Sequence, residues 1–166
     1  MDEVTIDAQT DTAIVGHWRD LFMTRARGRY NASSVAVCAK QLDRFARQQT
    51  GKFGYLVIIE PDTDIPDKSA RRAVDQMVVK HLSRYHFASL VIEEGGTRGV
   101  LVRSILTLVG LAAGKKHPES IHSGIEEASG WMCSRYRDAG VCHSCEEIRA
   151  ALRAFRIHGD IRGGRS

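Results

Sequence analysis

The start of the chain alternates apolar and polar residues, and this pattern gives way to helical spacing further along. Residues 4–8 and 12–18 alternate and are rich in β-branched side chains, which predicts two strands joined as a hairpin. Residues 25–30 are polar and basic, and we interpret them as a loop. After Asn31, apolar residues recur at the spacing of an amphipathic helix that ends at residues 50–51. The apolar positions of this helix are Val35, Cys38, Leu42 and Phe45.

Two apolar runs in the middle of the chain are typical of buried strands. Residues 55–59 and 90–92 are apolar at consecutive positions, as in a parallel strand covered on both faces. Between these runs we expect a helix that opens at Asp67. The apolar stripe of this helix comprises Ala70, Val74, Met77, Val78 and Leu82.

The second half of the chain predicts three more helices and one weak strand. Residues 97–113 indicate a buried helix, residues 120–123 a short strand and residues 126–137 a further helix. A last helix starts near Ser144. Its apolar side carries Ile148, Leu152 and Phe155. This side must be covered, either by the same domain or by another subunit.

The order of these elements defines the expected fold class. Strands that alternate with helices imply right-handed crossovers and a mostly parallel sheet. We therefore predict a single-domain α/β fold with a mostly parallel central sheet, an N-terminal hairpin, flanking helices and an extra C-terminal helix. Residues 1–140 are expected to form the α/β domain, residues 141–158 the appended helix and residues 159–166 a flexible tail rich in Gly and Arg.

Composition limits the kinds of partner and the cellular compartment that we expect for this protein. The chain is 43% apolar and 27% charged, as in globular proteins, and its net charge of +4 with only 7% aromatic residues argues against a nucleic-acid-binding surface. The acidic start does not resemble a secretion signal, and the longest apolar stretch, residues 100–113, is too short to span a membrane. We therefore expect a cytoplasmic protein with no membrane contact. Its four cysteines are expected to be free thiols or metal ligands and not a disulfide scaffold.

The element order over about residues 4–136 resembles that of a STAS-like domain, the fold of the bacterial anti-sigma-factor antagonists. In that family an apolar strand and a short loop precede an Asp-Ser-Ser-Gly motif that opens the next helix. Here residues 56–60 match the strand, residues 61–66 match the loop, and Asp67 and Ser69 match the motif, whereas Lys68 and Ala70 differ from it. The resemblance implies a non-enzymatic regulatory module whose partner is a protein, either a regulator or a kinase. It also implies that Ser69 is the phosphoacceptor.

The residue types at this helix start suit such a role. Asp67 can cap the helix, and a phosphate on Ser69 would meet free N–H groups and the positive end of the helix dipole. Arg71 and Arg72 lie within one turn and could pair with the phosphate. The alternative is that Asp67 is only a cap and Ser69 an ordinary first-turn residue.

A glycine-rich turn supports a second hypothesis of a different class. Gly95, Gly96, Thr97 and Arg98 follow a predicted strand and open a predicted helix, where backbone N–H groups can hold an anion. The chain would then be a small-molecule-binding protein or an enzyme that takes a nucleotide or phosphate. No Lys-Ser/Thr follows to complete a P-loop, so a plain tight turn is the alternative.

A late cluster of thiols and an imidazole supports a third hypothesis. Cys133, Cys142, His143 and Cys145 fall within thirteen residues, and the Cys142–Cys145 spacing can chelate zinc or form a redox pair. No second clear ligand pair accompanies it, so ordinary thiols are the alternative, and no other cofactor is expected. The expected partners are therefore a regulatory protein or a kinase, or a second copy of the chain.

Overall fold

The structure is a computed structural model that describes residues 3–93 and 118–160. The strands of this part are β1 (Thr5–Gln9), β2 (Ala13–Trp18), β3 (Leu21–Ala26), β4 (Phe53–Ile59), β5 (Tyr85–Ile92) and β6 (Glu119–His122). Its helices are α1 (Ala32–Gln48), α2 (Lys68–Lys80), α3 (Ile125–Asp138) and α4 (Cys145–Asp160), with a short 3-10 helix at Leu82–Arg84. The predicted helix at residues 97–113 and residues 161–166 of the predicted tail lie outside the described residues.

The six described strands form one sheet in the order β1-β2-β3-β4-β5-β6. β1, β2 and β3 pair antiparallel, and β3 to β6 pair parallel. α1 connects β3 to β4 and α2 connects β4 to β5, and both pack with one face of the sheet. α3 and α4 pack with the opposite face. The predicted α/β fold with an N-terminal hairpin and a mostly parallel sheet is confirmed.

The N-terminal region contains a strand that the sequence pattern did not predict. β3 occupies residues that we interpreted partly as a loop, and all six of its side chains are buried. Thr24 and Arg25 gave this stretch its polar character. Arg25 is nevertheless only 4% exposed, because its guanidinium pairs with Glu60 and donates to the carbonyl of Arg156. The interpretation of Arg25 and Ala26 as loop residues is therefore wrong: a buried ion pair places a charged residue inside the sheet.

The last helix packs into the same core as the sheet. Ile148, Leu152 and Phe155 are fully buried and belong to one cluster with β2 and α3. The apolar side that had to be covered is therefore covered within this chain. None of the described helices combines the length and apolar character needed to cross a membrane.

Candidate functional site

The first turn of α2 is held in place by the loop before it. The hydroxyl of Thr63 donates to the carbonyl of Ala26 over 2.8 Å, and the backbone N–H of Asp64 donates to Gly28 over 2.8 Å. Asp67 then caps the helix, because its carboxylate accepts from the N–H of Ala70 over 2.8 Å. Ala70 itself is fully buried. The loop and the cap thus fix the direction in which the turn faces solvent.

The predicted phosphoacceptor and its basic neighbours share this exposed turn. Ser69, Arg71 and Arg72 are all exposed, as is Lys68. Within residues 3–93 and 118–160, the Ser69 hydroxyl and the two guanidinium groups have no hydrogen bond or ion pair to another side chain. The structure therefore brings the predicted residues together in a state that leaves them available to another molecule.

The second predicted site lies mostly beyond the described part of the chain. Gly95, Gly96, Thr97 and Arg98 are outside the described residues, so the anion-binding hypothesis stays a prediction. The adjacent Glu93 is described: its carboxylate pairs with Arg156 over 3.2 Å. This ion pair with α4 holds the Glu93 side chain at 11% exposure.

The cysteine cluster takes a form that the spacing did not predict. Cys133 and Cys145 form a disulfide between α3 and α4, and the Cys142 thiol is exposed. The expectation of free thiols is therefore wrong for this pair, because two adjacent helices bring the cysteines to a Cα–Cα distance of 5.1 Å. Among the described residues, no three His, Cys, Asp or Glu side chains are arranged to hold a metal ion. His143 faces Asp20 instead.

His143 belongs to a group of side chains at the β2–β3 turn, which we call the turn cluster. The turn cluster comprises Trp18, Arg19, Asp20, Tyr136, His143 and Glu147. His143 contacts Asp20 through Nε2 over 2.6 Å and Arg19 through Nδ1 over 3.2 Å. Because a guanidinium can only donate, Nδ1 must accept, and Nε2–H donates to the carboxylate. These two partners select one neutral tautomer of His143.

Aromatic rings and a second ion pair complete the turn cluster. The His143 ring lies 5.0 Å from that of Trp18 and 4.7 Å from that of Tyr136. Arg19 lies over Trp18 and pairs with Glu147 over 2.9 Å. Sequence reasoning missed this group because Asp20 and His143 are 123 residues apart. No local spacing connects them.

The turn cluster joins the β2–β3 turn to the start of α4 through an ion pair and hydrogen bonds. Burial, and then the charge of Asp20, raise the pKa of Tyr136 well above its ordinary value, so its hydroxyl stays protonated. The His–Asp pair has no Ser, Thr or Cys nucleophile hydrogen-bonded to it among the described residues. The contacts of the turn cluster, His143 with Asp20 and Arg19 with Glu147, hold the start of α4 against the β2–β3 turn.

Glu147 gives this attachment a defined pH dependence. Hydrogen bonds from the backbone and side chain of Ser144, and then Arg19, lower the pKa of Glu147 from 4.5 to about 2. A carboxyl group whose pKa is lowered by folding stabilises the fold at pH values above its unfolded-state pKa. This stabilisation is lost as the pH falls through the folded-state pKa. We expect Glu147→Gln to be less stable than the unmodified protein at neutral pH, with a difference that shrinks as the pH falls from about 4.5 towards 2. Urea unfolding at a series of pH values measures this, and a difference that stays constant with pH would contradict it.

Comparison with known proteins supports the fold through one similar solved structure. No family model matches the chain, and no curated protein gives a significant match. Among solved structures, the chain is similar to an uncharacterised protein of the DUF3478 family from Shewanella loihica PV-4, described as having a SpoIIAA-like fold. The two share 12% identity with a TM-score of 0.56, and the match covers 77% of this chain and 99% of the other. The chain therefore has a SpoIIAA-like fold, which confirms the resemblance to STAS-like domains seen in the sequence.

Proposed function

We propose that this protein is a non-enzymatic interaction module of the STAS-like type, which binds a protein partner through the start of α2. The observation that carries the proposal is the exposed first turn of α2. Lys68, Ser69, Arg71 and Arg72 share this turn and face solvent. Ile65, in the loop just before it, is 40% exposed and adds an apolar contact. A protein partner can use such a mixture of apolar and cationic groups.

Phosphorylation of Ser69 would change the charge of this surface. A phosphate adds about −1.5 to −2 charges at neutral pH, where Lys68, Arg71 and Arg72 now make the turn basic. Ser69 is the second residue of α2, where the N–H groups of the first turn have no helical partner and favour an anion. The modified turn would therefore be well formed but would lose most of the positive charge that it presents to the partner. The proposal places the protein in the cytoplasm, where a partner kinase could act on it.

α1 offers a matched control for this effect. Its cap is Asn31, and Ser33 is the exposed second residue of that helix, as Ser69 is of α2. An aspartate at either position adds one negative charge to the first turn of a capped helix. Only the change at position 69 alters the proposed partner surface.

We expect Ser69→Asp to weaken partner binding by at least about tenfold, equivalent to about 1.4 kcal/mol, whereas Ser69→Ala and Ser33→Asp bind as the unmodified protein does. The partner is first isolated from the host by cross-linking and purification, and its affinity for each variant is then measured by calorimetry. Equal affinities of Ser69→Asp and Ser69→Ala would rule out the switch. Equal weakening by Ser69→Asp and Ser33→Asp would rule out the start of α2 as its location.

A further inference from the structure

The disulfide between α3 and α4 joins two cysteines in different environments. Cys133 lies within α3, is 5% exposed and packs into the apolar cluster shared by the sheet, α3 and α4. Cys145 is the first residue of α4 and is half-buried at the edge of the same cluster. One sulfur is therefore enclosed and the other lies nearer to solvent.

The start of α4 favours a thiolate at Cys145. Ser144 caps the helix: its hydroxyl accepts from the N–H of Glu147 over 3.1 Å, and the Glu147 carboxylate accepts from the N–H of Ser144 over 3.0 Å. Cys145 thus lies at a well-formed helix N-terminus, which stabilises an anionic sulfur. Apolar surroundings disfavour the thiolate of Cys133. When the disulfide is reduced, Cys145 is the sulfur better suited to ionise and to meet a molecule from solution.

We propose that Cys133 and Cys145 form a thiol–disulfide exchange site for low-molecular-weight disulfides such as glutathione disulfide, with Cys145 as the attacking thiol and Cys133 as the resolving thiol. This activity is independent of the partner surface on α2. Cys142, which has the Cys-x-x-Cys spacing to Cys145, takes no part in the exchange, because the bond of Cys145 is to Cys133.

The exchange proceeds in two balanced steps. The Cys145 thiolate attacks one sulfur of glutathione disulfide, the bond between the two glutathione sulfurs breaks, and one glutathione thiolate leaves. Cys133 then loses its proton to solvent and attacks the Cys145 sulfur, and the second glutathione thiolate leaves and is protonated. Two electrons pass from the protein dithiol to glutathione disulfide, and the reverse sequence reduces the protein. The Cα–Cα distance of 5.1 Å lets Cys133 reach Cys145 without rearrangement of either helix.

Trapping of the mixed disulfide tests the assignment of the two sulfurs. The full-length protein is equilibrated in glutathione buffers, quenched with acid, and mapped by mass spectrometry without reduction. We expect the unmodified protein and Cys142→Ser to interconvert reversibly between the dithiol and the Cys133–Cys145 disulfide. Cys133→Ser combined with Cys142→Ser should retain one glutathione on Cys145, because no resolving thiol remains. Cys145→Ser combined with Cys142→Ser should lose exchange entirely and carry no glutathione on Cys133.

Several results would overturn the proposal. A Cys133–Cys145 disulfide that resists every glutathione buffer would make the bond purely structural. Loss of exchange in Cys142→Ser, or a mapped Cys142–Cys145 disulfide, would assign the resolving role to Cys142. Cys38→Ser, which removes a buried thiol of α1 on the other face of the sheet, is the control and should exchange as the unmodified protein does. Far-UV circular dichroism of each variant confirms that it is folded.

Discussion

Phe155→Ala is expected to lower the free energy of unfolding by about 3–5 kcal/mol. Phe155 is fully buried in α4, and its ring lies against β2, where its Cε2 atom is 3.1 Å from the position that a Cβ on Gly16 would occupy. Removal of the ring leaves a cavity at the centre of the contact between α4 and the sheet. Because neighbouring helices and strands are fixed by their own contacts, we expect this cavity to close only in part.

Ile157→Ala is the matched control on the same helix. Ile157 is 57% exposed, so its truncation should change the free energy of unfolding by less than about 0.5 kcal/mol. Urea unfolding followed by far-UV circular dichroism measures both variants. A similar small effect of both changes would show that α4 is not part of the core of this domain. A cost for Phe155→Ala that depends on protein concentration would show that α4 covers a neighbouring subunit instead.

Gly54→Ala is expected to lower the free energy of unfolding by about 1–3 kcal/mol or more, because it overfills the core. Gly54 lies in β4, between β3 and β5. A Cβ at this position would lie 2.5 Å from Cζ of Phe87 and 2.8 Å from the hydroxyl oxygen of Tyr136. Both rings are fully buried and pack edge to face against each other, so neither can move aside freely.

Gly130→Ala, in contrast, should raise the free energy of unfolding. Gly130 lies within α3, and a Cβ there would meet no atom within 4 Å. Alanine reduces the conformational freedom of the unfolded chain and is favoured over glycine inside a helix. We therefore expect the free energy of unfolding to rise by about 0.5–1 kcal/mol. Thermal unfolding of the two variants side by side separates these effects. A Gly54→Ala variant as stable as the unmodified protein would contradict the packing of β4 against Phe87 and Tyr136. Destabilisation by Gly130→Ala would contradict the open space found beside that residue.

The sequence predicted the parts of the fold that local patterns determine. Asn31 and Asp67 were recognised as the residues before two helices, and both caps are present because short polar side chains satisfy the first N–H groups of a helix. β4 was visible as an apolar run because it is covered on both faces by helices. β3 was not predicted, because Arg25 is charged and charged residues are typical of loops. Its burial can be recognised only when its partner Glu60, which follows β4, is known.

Contacts between distant parts of the chain account for what the sequence could not predict. Arg19 and Asp20 meet His143 only after α3 and α4 have packed on the sheet. The Cys-x-x-Cys spacing suggested that Cys142 and Cys145 act together, whereas the antiparallel packing of α3 and α4 pairs Cys145 with Cys133. The exposed turn at Ser69 was predictable because its cap, hydroxyl and basic residues all lie within one short segment.

Photo-cross-linking in the host cell tests most directly whether the start of α2 binds a protein partner. A photoreactive residue is placed at position 69 in one variant and at position 33 in another, since both positions are exposed second residues of capped helices. The expected result is a discrete adduct of one partner from position 69 that is absent from position 33. The same adducts from both positions, or none from position 69, would contradict the assignment of the α2 start as the partner-binding surface.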